Sequence, residues 1–144
     1  MTPQRKAGTA RSSRAAQCVA AALAAGVLGL AAGGAAAQEL SERSMRTFMD
    51  YAWALTPQKF TKPNGQTVEI DKKKREPVMV PMETVREVIR VGRLSAHAQL
   101  CELADDQVEN YRSLMRREEL KKTWTEQQLI YINQLHLTTV MLLT

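Results

Sequence analysis

The stretch from Leu129 to Leu143 constrains the fold more than any other part of the chain. Leu129, Ile130, Ile132, Leu135, Leu137, Val140, Met141, Leu142 and Leu143 fall on nearly every side of a helix. Thr125-Glu126-Gln127-Gln128 just before it has the form of a capping box, so a helix opens there. A helix that is apolar all round is a buried one, and the rest of the domain has to be arranged around it. The helix reaches Thr144 without a glycine cap, a basic last turn or a polar tail. That fits either a fragment of a longer protein or an end covered by a partner.

Three further helices are predicted. Ser41 is placed to cap a first helix over about 42–55, where Met45, Phe48, Met49 and Ala52 recur at helical spacing. Trp53 and Leu55 widen that face, and Thr56-Pro57 stops it. Pro81 suits the first position of a second helix over about 82–104. Its apolar stripe is Val85, Val88, Ile89, Gly92, Ala96, Leu100 and Leu103, with Arg86, Arg90, Arg93 and His97 on the wetter side. Gly92 in mid-helix costs about 1 kcal/mol against alanine, so it reads as permission for a close helix–helix approach. Asp106-Gln107-Val108-Glu109 has the form of another capping box. It opens a third helix over about 107–122, with Val108, Tyr111, Leu114 and Met115 inward.

Residues 58–81 break the helical pattern. Two β-prone segments flank Pro63-Asn64-Gly65, and Asn-Gly supplies the positive φ angles of a tight turn, so a β-hairpin is predicted between the first and second helices. Lys72 to Arg75 then form a basic run, read as a solvated loop. Pro77-Val78-Met79-Val80-Pro81 reads as extended chain or an edge strand. The fold expected is a small, mainly α, four-helix domain with a hairpin insertion.

The first 37 residues carry a different signature. Arg5, Lys6, Arg11 and Arg14 precede a long small-and-apolar stretch that ends in Gly33-Gly34 and Ala35-Ala36-Ala37. This is the layout of an export signal with a small-residue cleavage site, so residues 1–37 read as a signal peptide and 38–144 as the working domain of the periplasm or exterior. Alanine and glycine make the apolar run weakly hydrophobic, which argues for cleavage rather than anchoring; membrane contact is then transient. The chain has 20 Lys and Arg against 15 Asp and Glu. Taking away the four basic residues of the signal leaves 16 against 15, so the basic excess reports on export and a nucleic-acid partner is not expected.

Chemistry-bearing residues are few. Cys18 leaves with the signal, so no disulfide is expected within 38–144 and Cys101 becomes a candidate for an intermolecular bridge. His97 and Cys101 stand four apart on one helix face, a spacing that can hold Zn²⁺ or copper, and His136 is the only other histidine. These three are the metal-ligand candidates. The helical wheel separates them, however, because His97 lies with the arginines and His136 on an apolar stripe. The alternative for His136 is a core residue bonded to a backbone carbonyl. A His97–Cys101 nucleophilic dyad lacks an evident oxyanion hole. Met45 and Met49 resemble core filler more than a copper site, and Trp53, Trp124 and Tyr131 read as packed rather than as a ligand groove. The carboxylates Asp105, Asp106, Glu118 and Glu119 fit helix ends and exposed faces. The signatures of covalent haem, disulfide exchange, zinc proteases, serine hydrolases and phosphate loops do not occur.

The sequence therefore points to a non-catalytic exported protein without a cofactor, which binds another protein or a second copy of itself through the C-terminal helix. A metal or thiol-redox protein built on Cys101, His97 and His136 is the competing class. A protein held at the membrane surface is the third.

Overall fold

The computed structural model of the chain describes residues 40–144, and the expected signal at 1–37 lies outside them. The described part is mainly helical: α1 (Glu42–Leu55), a hairpin of β1 (Lys59–Thr61) and β2 (Thr67–Glu69), a 3-10 turn (Glu76–Val78), α2 (Met82–Leu100), α3 (Ala104–Leu120) and α4 (Glu126–Leu143). The hairpin lies between the first and second helices, as expected. No described helix is long and apolar enough to cross a membrane.

The last helix is the centre of the packing. Eight of its 18 residues are buried, among them Ile130, Tyr131, Ile132, Leu135 and Val140. It packs closely on α2 and α1 and more loosely on α3. The expected capping box opens it. The Thr125 hydroxyl accepts from the Gln128 amide at 3.1 Å, and the Gln128 side chain accepts from the Thr125 amide at 3.0 Å. The same two turns gather the preceding segments. Gln128 Nε2 donates to the Met79 carbonyl at 3.0 Å, Gln127 Nε2 to the Glu69 carbonyl at 2.7 Å, and Lys62 pairs with Glu126. Not all of the helix is covered: Leu137, Met141, Leu142 and Leu143 remain 41–55% exposed. The expectation of complete burial thus fails over the last turns.

Gly92 does what its mid-helix position suggested. A Cβ there would stand 2.6 Å from Thr139 Cγ2 and 2.7 Å from Thr139 Cβ. Only glycine lets α2 approach α4 this closely.

Several local expectations are corrected. In the hairpin, only Gly65 takes a positive φ, of 84°. The Gly65 amide donates to the Lys62 carbonyl at 2.9 Å, with Pro63 at the second turn position. This is a turn followed by a glycine bulge, in which proline presets the first corner, rather than a two-residue Asn-Gly turn. The stretch after the basic run is a single 3-10 turn over Glu76–Val78 with Pro77 inside it, followed by extended chain at Met79, rather than a strand. Nor is the basic run merely solvated. The Lys72 ammonium donates to the carbonyls of Trp53 and Thr56 and sits 4.1 Å from the Trp53 ring centre, closing the end of α1. Arg75 pairs with Asp50 at 2.7 Å.

The largest correction lies between α2 and α3. α2 stops at Leu100, and Pro81 stands at its N-cap rather than inside it. The Glu102 amide donates to Gln99 and the Leu103 amide to Ala98, with Glu102 at a φ of 59°. This is a Schellman closure with glutamate in the left-handed position usually held by glycine. Leu103 is thereby fixed as the N-cap of α3, so Asp106 falls inside the first helical turn and makes no capping box with Glu109. Glu109 accepts from Ser113 instead. Leu100, Leu103 and Val108, expected inward, are exposed.

Replacing Gly92 by alanine is expected to destabilise the fold by about 1–3 kcal/mol despite the gain in helix propensity, because the overpacking strain is the larger effect. Chemical denaturation measures this. A Thr139→Ala background should restore only part of the loss, since the Thr139 Cβ remains in the way.

Candidate functional site

The seam between α3 and α4 is the place where polar chemistry and open space coincide. α3 is anchored at its second half. Leu114 is buried there, and Glu118 is only 1% exposed. The Glu118 carboxylate accepts from Lys121 at 2.8 Å and 3.0 Å and from Trp124 Nε1 at 2.9 Å. Burial alone would raise this carboxyl, but the hydrogen bonds from Lys121 and Trp124 and the nearby Lys121 charge outweigh it. They hold Glu118 below its ordinary value of 4.5. The cluster locks the α3–α4 turn and so sets where α4 begins. Sequence reasoning placed Glu118 on an exposed face. Its spacing of three from Lys121 and six from Trp124 was the available signal, once α3 is known to end at Leu120. A second clamp joins α2 to α3, where Glu87 is shared by Arg90 at 2.8 Å and Arg117 at 2.9 Å.

Two adjoining depressions lie between α3 and α4, on either side of Tyr111. One, of about 570 Å³, is lined by Val108, Tyr111, His136, Leu137, Val140 and Met141, with polar residues at its rim. The other, of about 600 Å³, lies toward the hairpin and is lined by Phe60, Met115, Leu129, Ile130 and Asn133, with Lys62, Glu119 and Glu126. The Tyr111 and His136 rings stand 5.5 Å apart, tilted by 46°. The Tyr111 hydroxyl is raised above its ordinary value by burial and by the Glu119 charge.

His136 is 2% exposed, and its Nε2 lies 3.0 Å from the hydroxyl of Ser95 on α2, itself fully buried. The backbone-carbonyl partner expected for it is replaced by this hydroxyl. Burial pushes the imidazole down from 6.5 to about 4, so it is neutral at pH 7. The tautomer follows from counting. If Ser95 donates to Nε2, the proton sits on Nδ1 and one donor lacks a partner. If Nε2 donates to Ser95, both the serine proton and the Nδ1 lone pair are unmatched. The first arrangement leaves fewer polar groups unpaired and is assigned on that ground. Among the described residues, Nδ1 has no hydrogen-bond partner.

The metal-ligand candidates are not brought together. His97 and Cys101 are neighbours, with Nε2 3.8 Å from Sγ at the exposed end of α2, while His136 bonds to Ser95 on the α4 side of that helix. Among the described residues, no group of three His, Cys, Asp or Glu side chains is placed to hold a metal ion. Cys101 stands at the C-cap of α2. Met45 is fully buried in the core. Tyr131 is also buried, with its hydroxyl donating to the Met49 carbonyl at 3.3 Å.

Two outcomes follow. Glu118→Gln is expected to cost about 1–3 kcal/mol at pH 7, as the charge-assisted bonds weaken. The gap to wild type should close in acid, because a lowered carboxyl contributes stability that is present above 4.5 and lost as the pH falls through its folded value. His136 also adds acid sensitivity. Its folded value is depressed, so its contribution is complete above about 6.5 and is lost as the pH falls toward about 4. The slope over this window is at most about 1.4 kcal/mol per pH unit. Urea titrations of His136→Phe should show a flatter pH dependence across it than wild type.

Compared with models of known protein families, with curated proteins and with solved structures, the chain gives no match.

Proposed function

We propose that this is an exported, non-catalytic binding protein of the periplasm or cell envelope, which joins an apolar protein surface through the last turns of α4. The observation that carries this reading is the exposed strip Leu137, Met141, Leu142 and Leu143 on a helix otherwise sunk in the core. Solvated leucines are common singly, but four large apolar side chains exposed on the last two turns of one helix mark an interaction surface. Leu100, Leu103 and Val108, also exposed, add to the apolar character of the described surface. The export assignment rests on the basic, apolar and small-residue order of residues 1–37.

A second copy of the chain is the partner we propose. The strip carries no charge, so two copies can meet across a twofold axis without like-charge repulsion, each covering the same patch on the other. Burial of apolar area supplies the attraction, at about 25 cal/mol per Å².

Sedimentation of the purified protein is expected to show a concentration-dependent dimer. Leu142→Glu combined with Leu143→Glu should shift it to monomer with an unchanged circular dichroism spectrum. A protein that stays monomeric at high concentration in wild-type form would sink the self-association reading.

A further inference from the structure

The depression on the hairpin side of Tyr111 is walled by three elements: Phe60 and Pro63 of the hairpin, Tyr111 and Met115 of α3, and Leu129 of α4. None of these five side chains is buried, so the walls keep accessible apolar surface. The volume of about 600 Å³ falls in the range of small-molecule sites. None of Leu137, Met141, Leu142 and Leu143 lines this depression, which is therefore separate from the self-association strip.

Charge decides what such a space can hold. Three charged side chains border it, Lys62, Glu119 and Glu126, and Lys62 is taken by Glu126. Among the described residues no ion pair reaches the exposed Glu119. The cations on either side of it in sequence, Arg117 and Lys121, are turned to Glu87 and Glu118, and neither lines the depression. Two carboxylates and one ammonium leave the border one positive charge short. The Glu119 field also extends into the depression: after burial, it is the charge that raises the Tyr111 hydroxyl. An anion would be repelled there, whereas a cation gains from Glu119 and from the ring faces of Phe60 and Tyr111. A small hydrated cation gains nothing from Met115 and Leu129, so the charge has to ride on an apolar body. Tyr111, Met115 and Glu119 recur every four residues and share one face of α3. About 6 Å of helix axis separate Met115 from Glu119, a span that an arylalkylamine bridges from ring to nitrogen.

We propose that the depression between the hairpin, α3 and α4 binds a small monocationic amine with an apolar body, its ammonium on Glu119 and its hydrocarbon part against Phe60, Tyr111, Met115 and Leu129.

The test titrates the purified protein, labelled with ¹³C at its methionine methyls, with 2-phenylethylammonium chloride. Saturable binding should move the Met115 methyl signal, which Met115→Leu assigns. Three probes should each bind at least fivefold more weakly: ethylammonium lacks the apolar body, 2-phenylethanol lacks the charge, and 3-phenylpropionate reverses it. Glu119→Gln, at an exposed position, should leave the circular dichroism spectrum unchanged. It should weaken amine binding about fivefold, the scale of a partly exposed ion pair, and leave binding of 2-phenylethanol unaltered. No saturable shift at Met115, equal affinity for the alcohol or the carboxylate, or amine binding that ignores Glu119→Gln would each overturn the proposal. The Leu142→Glu, Leu143→Glu protein should bind the amine as wild type does, so failure of dimerisation and failure of ligand binding are read separately.

Discussion

The close approach of α2 to α4 is the contact on which the rest of this domain depends. It exists because Gly92 has no Cβ to meet Thr139, and it is deep enough to bury Ser95 completely and to bring its hydroxyl to His136. At ordinary separation, the Ser95–His136 bond would lengthen or admit water. Thr139 turns its own hydroxyl back to the Leu135 carbonyl at 2.8 Å, which satisfies it within α4 and presents its methyl to α2. The pair of helices is thus joined at one point by backbone proximity and, one turn on, by a buried hydrogen bond. Such a junction fixes both separation and register, whereas apolar packing alone tolerates sliding.

Around this axis the two ends of α4 differ. Its first turns are tied by side chains to two segments that are far away in sequence: the hairpin through Gln127 and Glu126, and the stretch after the basic run through Gln128. Its last turns have no comparable ties, and there the leucines stay in solvent. Hydrogen bonds to backbone carbonyls need a fixed partner in a fixed place, so the capped end is the rigid one. The exposed apolar side chains lie where that constraint relaxes.

Most of the helical architecture was legible from the residues. The Ser41 and Thr125 caps, the apolar face of α1, the role of Gly92 and the hairpin each rest on a local signal with one physical meaning. The boundary between α2 and α3 was not legible. Its Schellman closure puts Glu102 in the left-handed region, and nothing about glutamate announces that conformation, whereas a glycine would have. Once that turn was missed, Asp106 looked like a cap and Leu100, Leu103 and Val108 looked like core. Glu118 and Lys72 were missed for another reason. Charged residues are read as solvated by default, and only the tertiary structure reveals that the carbonyls of Trp53 and Thr56, or Trp124 Nε1, lie within reach. His136 was legible as a core histidine but not as an incompletely bonded one. That depends on which atom of α2 faces its Nε2.

The same consideration explains why a groove persists beside such a compact axis. A leucine at position 136 would have removed an unpaired nitrogen from the α4 side of the seam. Histidine and asparagine at 136 and 133 instead place polar atoms beside α3, where the depressions on either side of Tyr111 lie. Buried polar groups weaken a fold unless they are fully paired. Two on one face, one turn apart, weaken the packing in a single place. The anchoring of α3 by Leu114 and Glu118 at its other half limits the damage to that place. A domain of this size has little stability to spare, so confining the unpaired groups to one place keeps their cost within what the α2–α4 junction can offset.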